Sequence, residues 1–420
     1  MKKKFLAVAA AAAMSAALVV AAGCANNGGG GAAPASSAPV EGSASVETSI
    51  AIDTSALETS ILANMTEDEA AALLVDELIA GIQVQEWTDD TPELCAAAKA
   101  AWDALTPEQQ ALVGEYDYFG RDTGNAAADD PLNTAPDKEN EILVVSFGTS
   151  FNDSRAATIG AIEKAIQAAN PDWAVRRAFT AQIIINHVLA RDGVQIDNVQ
   201  QALDKALAAG VKNLVVQPTH LMHGAEYDEL MAILALYDGQ FESISVAEPL
   251  LGQVGADATV INDDKRAVGE AAATAAAQAA GYDNVAAAKE DGTALVLMGH
   301  GTSHEANVTY DQMQTVMSEL GYDNVFIGTV EGEPEDTECS AVIDKVKQAG
   351  YKKVYLRPLM VVAGDHANND MADPDDPESW LSQFSAAGFD SVMCQIAGLG
   401  QIPAVQDLYV AHTAAALPAK

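Results

Sequence analysis

Two passages of this chain repeat each other 140 residues apart, in register and without a gap. The first runs from Ala209-Gly210-Val211-Lys212-Asn213-Leu214-Val215-Val216-Gln217-Pro218 to Gly224-Ala225-Glu226. The second runs from Ala349-Gly350-Tyr351-Lys352-Lys353-Val354-Tyr355-Leu356-Arg357-Pro358 to Gly364-Asp365-His366. An earlier echo precedes each: Val145-Ser146-Phe147-Gly148-Thr149-Ser150 against Met298-Gly299-His300-Gly301-Thr302-Ser303. A chain duplicated in this way folds as two related units. The register sets Glu226 opposite His366. With His300, it places two imidazoles and a carboxylate at strand ends, a set that suits a divalent metal ion.

Short aliphatic runs at 142–147, 174–179, 213–217 and 243–247 alternate with helix-like stretches. The rhythm returns at 294–298, 325–329, 353–361 and 391–397. Near-continuous apolar strands between helices indicate parallel sheets covered on both faces. The expected fold is α/β, two similar half-domains facing each other across a cleft. Each half is a parallel sheet of about four strands flanked by helices.

The repeat does not begin until residue 141. Lys2-Lys3-Lys4 and the apolar run Phe5 to Ala22 make a signal segment, residues 1–24. Ala21-Ala22-Gly23-Cys24 resembles a bacterial lipobox, with Ala21 where leucine is commonest, so Cys24 is the expected lipidation site. The alternative is an uncleaved anchor, because the run is almost long enough to span a bilayer. Residues 25–50 are small and polar and read as a flexible tether. Residues 60–120 read as a module of three short helices. Thr66-Glu67-Asp68-Glu69 is a capping box ahead of Leu74, Leu78 and Ile82. Thr91-Pro92 opens a stripe of Leu94, Ala98, Trp102 and Leu105, and Thr106-Pro107 opens a third helix. This stretch resembles a helical repeat of Gram-positive surface proteins and carries no catalytic grouping. Residues 121–140 are polar, contain Pro131 and Pro136, and read as a linker.

A formal net charge of −38 argues against nucleic acid and anionic lipid headgroups as partners. Cys95, Cys339 and Cys394 form no C-x-x-C pair and read as small buried side chains.

Gly299-His300-Gly301 leaves an imidazole unshielded after a strand. Asp365 and Asp370 flank His366 and can orient its ring. His220 and His223 are alternative ligands to Glu226. Glu331 and Glu333 are secondary candidates for metal delivery or proton transfer. Ser146, Thr149, Ser150 and Arg155 are candidate contacts for a ligand's carboxylates.

Val145 to Ser150, Gly224-Ala225-Glu226-Tyr227, Met298 to Gly301 and Val362 to Met371 together resemble the anaerobic cobalt chelatases of the CbiK type, from about Ile142 to Ala414. That resemblance implies a class II chelatase fold, with one half at 141–270 and the other at 290–416. It implies insertion of Co2+ into sirohydrochlorin, a lyase-class metal chelation in anaerobic cobalamin synthesis, without an organic cofactor. It places the metal ligands on His300, His366 and Glu226, which are then also the catalytic residues. Imidazole also suits Ni2+, Fe2+ and Zn2+. The lipobox and helical module depart from the usual cytoplasmic enzyme and imply a lipid-anchored protein outside the cytoplasm. The expected partners are the tetrapyrrole, the metal ion and, through the anchor, the membrane; a homo-oligomer stays open. The competing functional reading is an extracytoplasmic carrier of haem, another tetrapyrrole or metal that performs no turnover. A zinc hydrolase would need a motif such as H-E-x-x-H, which the chain lacks.

Overall fold

The structure is a computed structural model that describes residues 65–418. The signal segment, Cys24 and the tether lie outside the described residues. The chain divides into two units. One takes in the chain up to Gln83 together with Glu93–Arg121, and the other comprises Val84–Pro92 and Asp122–Lys420.

The first unit is helical, with elements Glu67–Ala80, Thr91–Asp103, Pro107–Gln110 and Tyr116–Gly120. Both expected capping boxes form, at Thr66/Glu69 and Thr106/Gln109. The inward stripes match those expected in part: Ile82, Ala98 and Trp102 are buried. Ala72, Val75 and Ile79 are buried, whereas Leu74 is exposed. Cys95, Ala98 and Trp102 face inward, and Leu94 does not. The third helix stops after one turn, and a separate short helix carries Tyr118 and Phe119 into the core.

The second unit holds two parallel sheets of identical topology. The strands are β1 (Asn140–Ser146), β2 (Ala174–Phe179), β3 (Asn213–Pro218) and β4 (Ser243–Val246), in the order β2-β1-β3-β4. They are followed by β5 (Thr293–Gly299), β6 (Val325–Thr329), β7 (Lys353–Pro358) and β8 (Ser391–Cys394), in the order β6-β5-β7-β8. Pairing Asn140 with Asn213, and Thr293 with Lys353, keeps the sequence repeat in register. Central strands β1 and β5 are buried on both faces, hence their unbroken aliphatic runs. The expected β7 overran its end, because the apolar residues Leu359 to Val361 form a packed turn.

One apolar cluster joins the two halves. It contains Ile142 and Val144 of β1 and Leu295 and Leu297 of β5. Helix Asp263–Ala279 follows β4 yet packs on helix Val308–Glu319 of the other half, while Pro403–Ala416 follows β8 and packs back on β3. Gly269 makes the first crossing close, since a Cβ there would stand 2.7 Å from Val316 Cγ1.

The stretch read as a linker is part of the second unit. Asp129 forms ion pairs with Arg155 at 2.8 Å and Arg177 at 2.6 Å, and Arg177 also meets Glu163 at 2.6 Å. Burial works to raise the Asp129 carboxyl, but the hydrogen bonds and charges of both arginines outweigh it and hold it below its usual value.

Among the described residues no helix is long and apolar enough to cross a membrane. Cys95 and Cys339 are buried as expected, and burial pushes their thiols up to about 11 and about 12; Cys394 is only partly covered.

Candidate functional site

The two halves end their central strands in the same turn. Gly148 and Gly301 take φ values of +105° and +94°, a region that favours glycine. The backbone bonds repeat as well. Thr219 N donates to Val145 O at 2.7 Å, and Leu359 N to Met298 O at 2.6 Å. Ala181 N donates to Phe147 O at 3.2 Å, and Glu331 N to His300 O at 2.9 Å. Three pairs of equivalent positions therefore surround the strand ends. The first half fills them with Phe147, Ala181 and Glu226, the second with His300, Glu331 and His366. Similar backbones carry unlike chemistry, and the second half holds most of the ligand-type side chains.

His300 and His366 come together with ring centroids 4.5 Å apart, edge to face. The Nδ1 of His300 lies 2.8 Å from Gly301 O. A carbonyl only accepts, so Nδ1 carries the proton and Nε2 keeps its lone pair. Tyr310 braces this turn, its hydroxyl accepting from Gly301 N at 3.0 Å, and a side chain at Gly299 would run into its ring. His366 caps a single π-turn, Ala367–Met371, that brings Asp370 back towards it. Its Nδ1 donates to Asp370 Oδ2 at 2.7 Å, again leaving Nε2 as the open nitrogen. The hydrogen bond from Asp370 raises the His366 pKa above the ordinary imidazole value, against burial and with help from the charges of Asp370, Asp365 and Glu331.

The carboxylates are placed differently. Glu331 is tied to His300 through its backbone, its Cβ would lie 2.9 Å from a Cβ on Gly301, and its charge is felt by His366. Glu226 is exposed on the first turn of helix Ala225–Ala235, and its charge is felt by Tyr310 and His220. Among the described residues no group of three His, Cys, Asp or Glu side chains stands close enough to hold an ion. The structure thus brings two of the three expected ligands, His300 and His366, face to face, and among the described residues neither Glu226 nor Glu331 completes a group of three with them. In the sequence Glu331 is a secondary candidate because an acidic loop after a strand is commonplace; the repeated backbone bond is what ties it to His300.

Other candidates are taken up elsewhere. His220 is buried with neither ring nitrogen partnered, and burial pushes its pKa down to about 4. His223 is paired with Glu248 at 2.7 Å. Ser146, Thr149, Ser150 and Arg155, the expected contacts for a ligand's carboxylates, are all buried. Ser146 accepts from Thr219 at 2.7 Å, and Arg155 is committed to Asp129, Asn152 Oδ1 and Thr149 O. Thr149 instead packs the halves together, its Oγ1 3.0 Å from where a Cβ on Gly364 would stand. Phe147, the counterpart of His300, is 44% exposed, whereas Ser146 before it is sealed. A cavity of about 390 Å3 opens nearby, lined by Phe151, Ser154, Ala157, Ala363, Asn368 and Ile396 among others.

Residues 140–417 match the family model described as cobalt chelatase (CbiK). The sirohydrochlorin cobaltochelatase of Salmonella typhimurium is 35% identical over 276 residues, covering 66% of this chain and 96% of that protein. The sirohydrochlorin cobaltochelatase CbiKC of Nitratidesulfovibrio vulgaris is 30% identical over 291 residues, covering 69% and 94%. SirB from Bacillus subtilis with Fe3+ aligns over 65% of this chain and 93% of its own at 14% identity and a TM-score of 0.44. Through the duplicated unit that carries the two facing histidines, this chain belongs to the CbiK cobalt chelatase family.

Proposed function

We propose that this chain is a sirohydrochlorin cobaltochelatase, inserting Co2+ into that tetrapyrrole. Membership of the family supports the reaction, and the facing pair His300 and His366 carries the assignment of the site. Each ring has Nδ1 engaged and Nε2 open, so the pair offers two imidazole nitrogens to one ion. Glu331 is the carboxylate assigned to the ion, since its backbone amide is bonded to the carbonyl of His300 and its charge reaches His366. Glu226, from the other half, acts in proton transfer.

Insertion exchanges one Co2+ for two pyrrole N–H protons. As the ion passes to the ring nitrogens, the Nε2 of His300 is released and takes one of the protons; a carboxylate takes the other. A neutral imidazole is a competent acceptor near pH 7. Phe147 offers an exposed ring face to the macrocycle beside the metal site. The same donors suit Ni2+, Fe2+ and Zn2+, so cobalt is favoured by kinship and not by ligand type.

The protein is placed outside the cytoplasm, anchored by lipid on Cys24, on the strength of the basic, apolar and lipobox-like start of the sequence. Mass spectrometry of the membrane fraction finds a diacylglyceryl Cys24 if this is right and an unmodified or uncleaved start if it is not. The function is tested by absorbance, following sirohydrochlorin with Co2+ and the purified protein. Product formation well above the protein-free rate supports a chelatase. A rate equal to the blank, with saturable ligand binding, supports a carrier.

A further inference from the structure

Among the described residues six arginines each reach a carboxylate: Arg121, Arg155, Arg176, Arg177, Arg191 and Arg266. Arg357 does not. It sits one residue from the end of β7, the strand whose following turn carries His366, and it is only 5% exposed. Its Nη1 donates to Gln395 Oε1 at 2.9 Å. Its Nε is buried without a partner. Nη2 also lacks a partner but is not sealed off like Nε. The guanidinium therefore presents one complete edge, Nε–H beside Nη2–H, with nothing bonded to it. Nη2 is the reachable end of that edge and can donate a charge-assisted hydrogen bond to a carboxylate, with Nε behind it.

The repeat supplies a control within the same molecule. The position equivalent to Arg357 is Gln217 of β3, which is fully buried. Its amide donates to Pro218 O and Glu248 O, at 2.9 and 3.0 Å, and accepts from Thr413 Oγ1 at 2.8 Å. A neutral side chain fills this place and satisfies itself. The second half instead carries a cation whose burial works against its charge and which no acid offsets. Fold alone does not call for a charge there, because the duplicate manages without one. The residue after Gln395 is Ile396, 43% exposed and part of the wall of the nearby cavity. Arg357 and Gln395 do not line that cavity themselves, and Asp122 and Asp153 are also in its wall.

We propose that the free edge of Arg357 is an anion subsite that binds one peripheral carboxylate of the tetrapyrrole. The claim rests on the substrate reading given above, and it accounts for an unusual cation in a strongly acidic chain. The substrate carries acetate and propionate groups around its rim. A chain with formal net charge −38 repels such a ligand at long range, so one unpaired guanidinium on the strand that leads into the His366 turn gives an attractive contact.

The test uses the full mature protein, its Arg357→Met variant and its Arg357→Lys variant. Arg357→Met keeps the length of the side chain and removes the charge. The expected result is a KM for sirohydrochlorin raised by about tenfold or more with kcat little changed, as for a contact made equally in ground and transition states. The KM for Co2+ stays the same. Arg357→Lys, which keeps charge without the guanidinium edge, falls between. Thermal unfolding separates this from a structural role: removing an unpaired buried charge leaves the melting temperature equal or higher. An unchanged KM, or a raised KM that follows a lowered melting temperature, overturns the proposal. Acetate serves as a probe independent of turnover. It raises the melting temperature of the natural protein and not of Arg357→Met if the subsite exists, and shifts both alike if it does not. If the natural protein shows no insertion, the substrate reading fails while the acetate result still decides the anion site.

Discussion

The amide of Glu331 donates to the carbonyl of His300 at 2.9 Å, and in the other half the same bond joins Ala181 to Phe147. One backbone geometry thus holds a carboxylate beside an imidazole in one place and two apolar residues in the other. Duplication built a symmetric frame, and substitution on it gave one half the metal-type donors and the other an exposed aromatic ring.

This relationship separates the two carboxylates. Glu331→Gln is expected to weaken Co2+ binding by more than the roughly 10–100-fold that supporting hydrogen-bond partners of a metal site contribute. Glu226→Gln is expected to leave Co2+ binding within a few-fold and to slow insertion. Equilibrium titration with Co2+, read beside the insertion rate, checks both. Loss of binding in Glu226→Gln alone would return that residue to the ligand set.

Asp370 gives a pH prediction. It raises the His366 pKa, chiefly through its hydrogen bond, and Co2+ needs the deprotonated Nε2. Protons therefore compete with the ion up to a pH above the ordinary imidazole value of about 6.5. Cobalt insertion should rise with an apparent pKa above that value, and Asp370→Asn should move the rising limb to lower pH. The same raised pKa means that the His366–Asp370 contact stabilises the fold fully below about 6.5 and loses that contribution as pH rises through the folded-state pKa. A pH profile of kcat/KM in the two proteins measures the shift.

Phe147→Ala should raise the KM for the tetrapyrrole by about threefold to tenfold, the scale of one aromatic contact, and leave the melting temperature almost unchanged because the ring is 44% exposed. Steady-state kinetics with thermal unfolding resolves the two effects.

Asp129→Asn removes the charge that two buried arginines share. The expected loss is about 3–5 kcal/mol of stability, since Arg155 and Arg177 would keep their burial and lose their common partner. Urea denaturation measures it. A change within about 0.5 kcal/mol would mean that the arginines are satisfied without Asp129.

Much of the fold was legible because buried parallel strands are written as unbroken aliphatic runs, and β2 and β6 fall where those runs predicted. His300 and His366 were legible for a different reason: each follows a repeated strand, where the duplication marks its place. Glu331 was legible only as a secondary candidate, because the backbone bond that ties it to His300 leaves no trace in the sequence. Arg155 misled because polarity next to a strand end looked like a ligand contact. Its real partner, Asp129, lies in a stretch whose prolines and charges resembled a linker. An ion pair across such a separation leaves no periodic trace in the sequence. In the helical unit Ile82, Ala98 and Trp102 face inward as their spacing predicted, while Leu74 and Leu94 of the same stripes stay exposed.

The most direct test is the initial rate of cobalt–sirohydrochlorin formation by the natural protein, His300→Ala and His366→Ala, at equal folded concentration. The account predicts a rate well above the protein-free control for the natural protein and a fall to near that control in each variant. Variants that keep the natural rate, with both histidines dispensable, would contradict it.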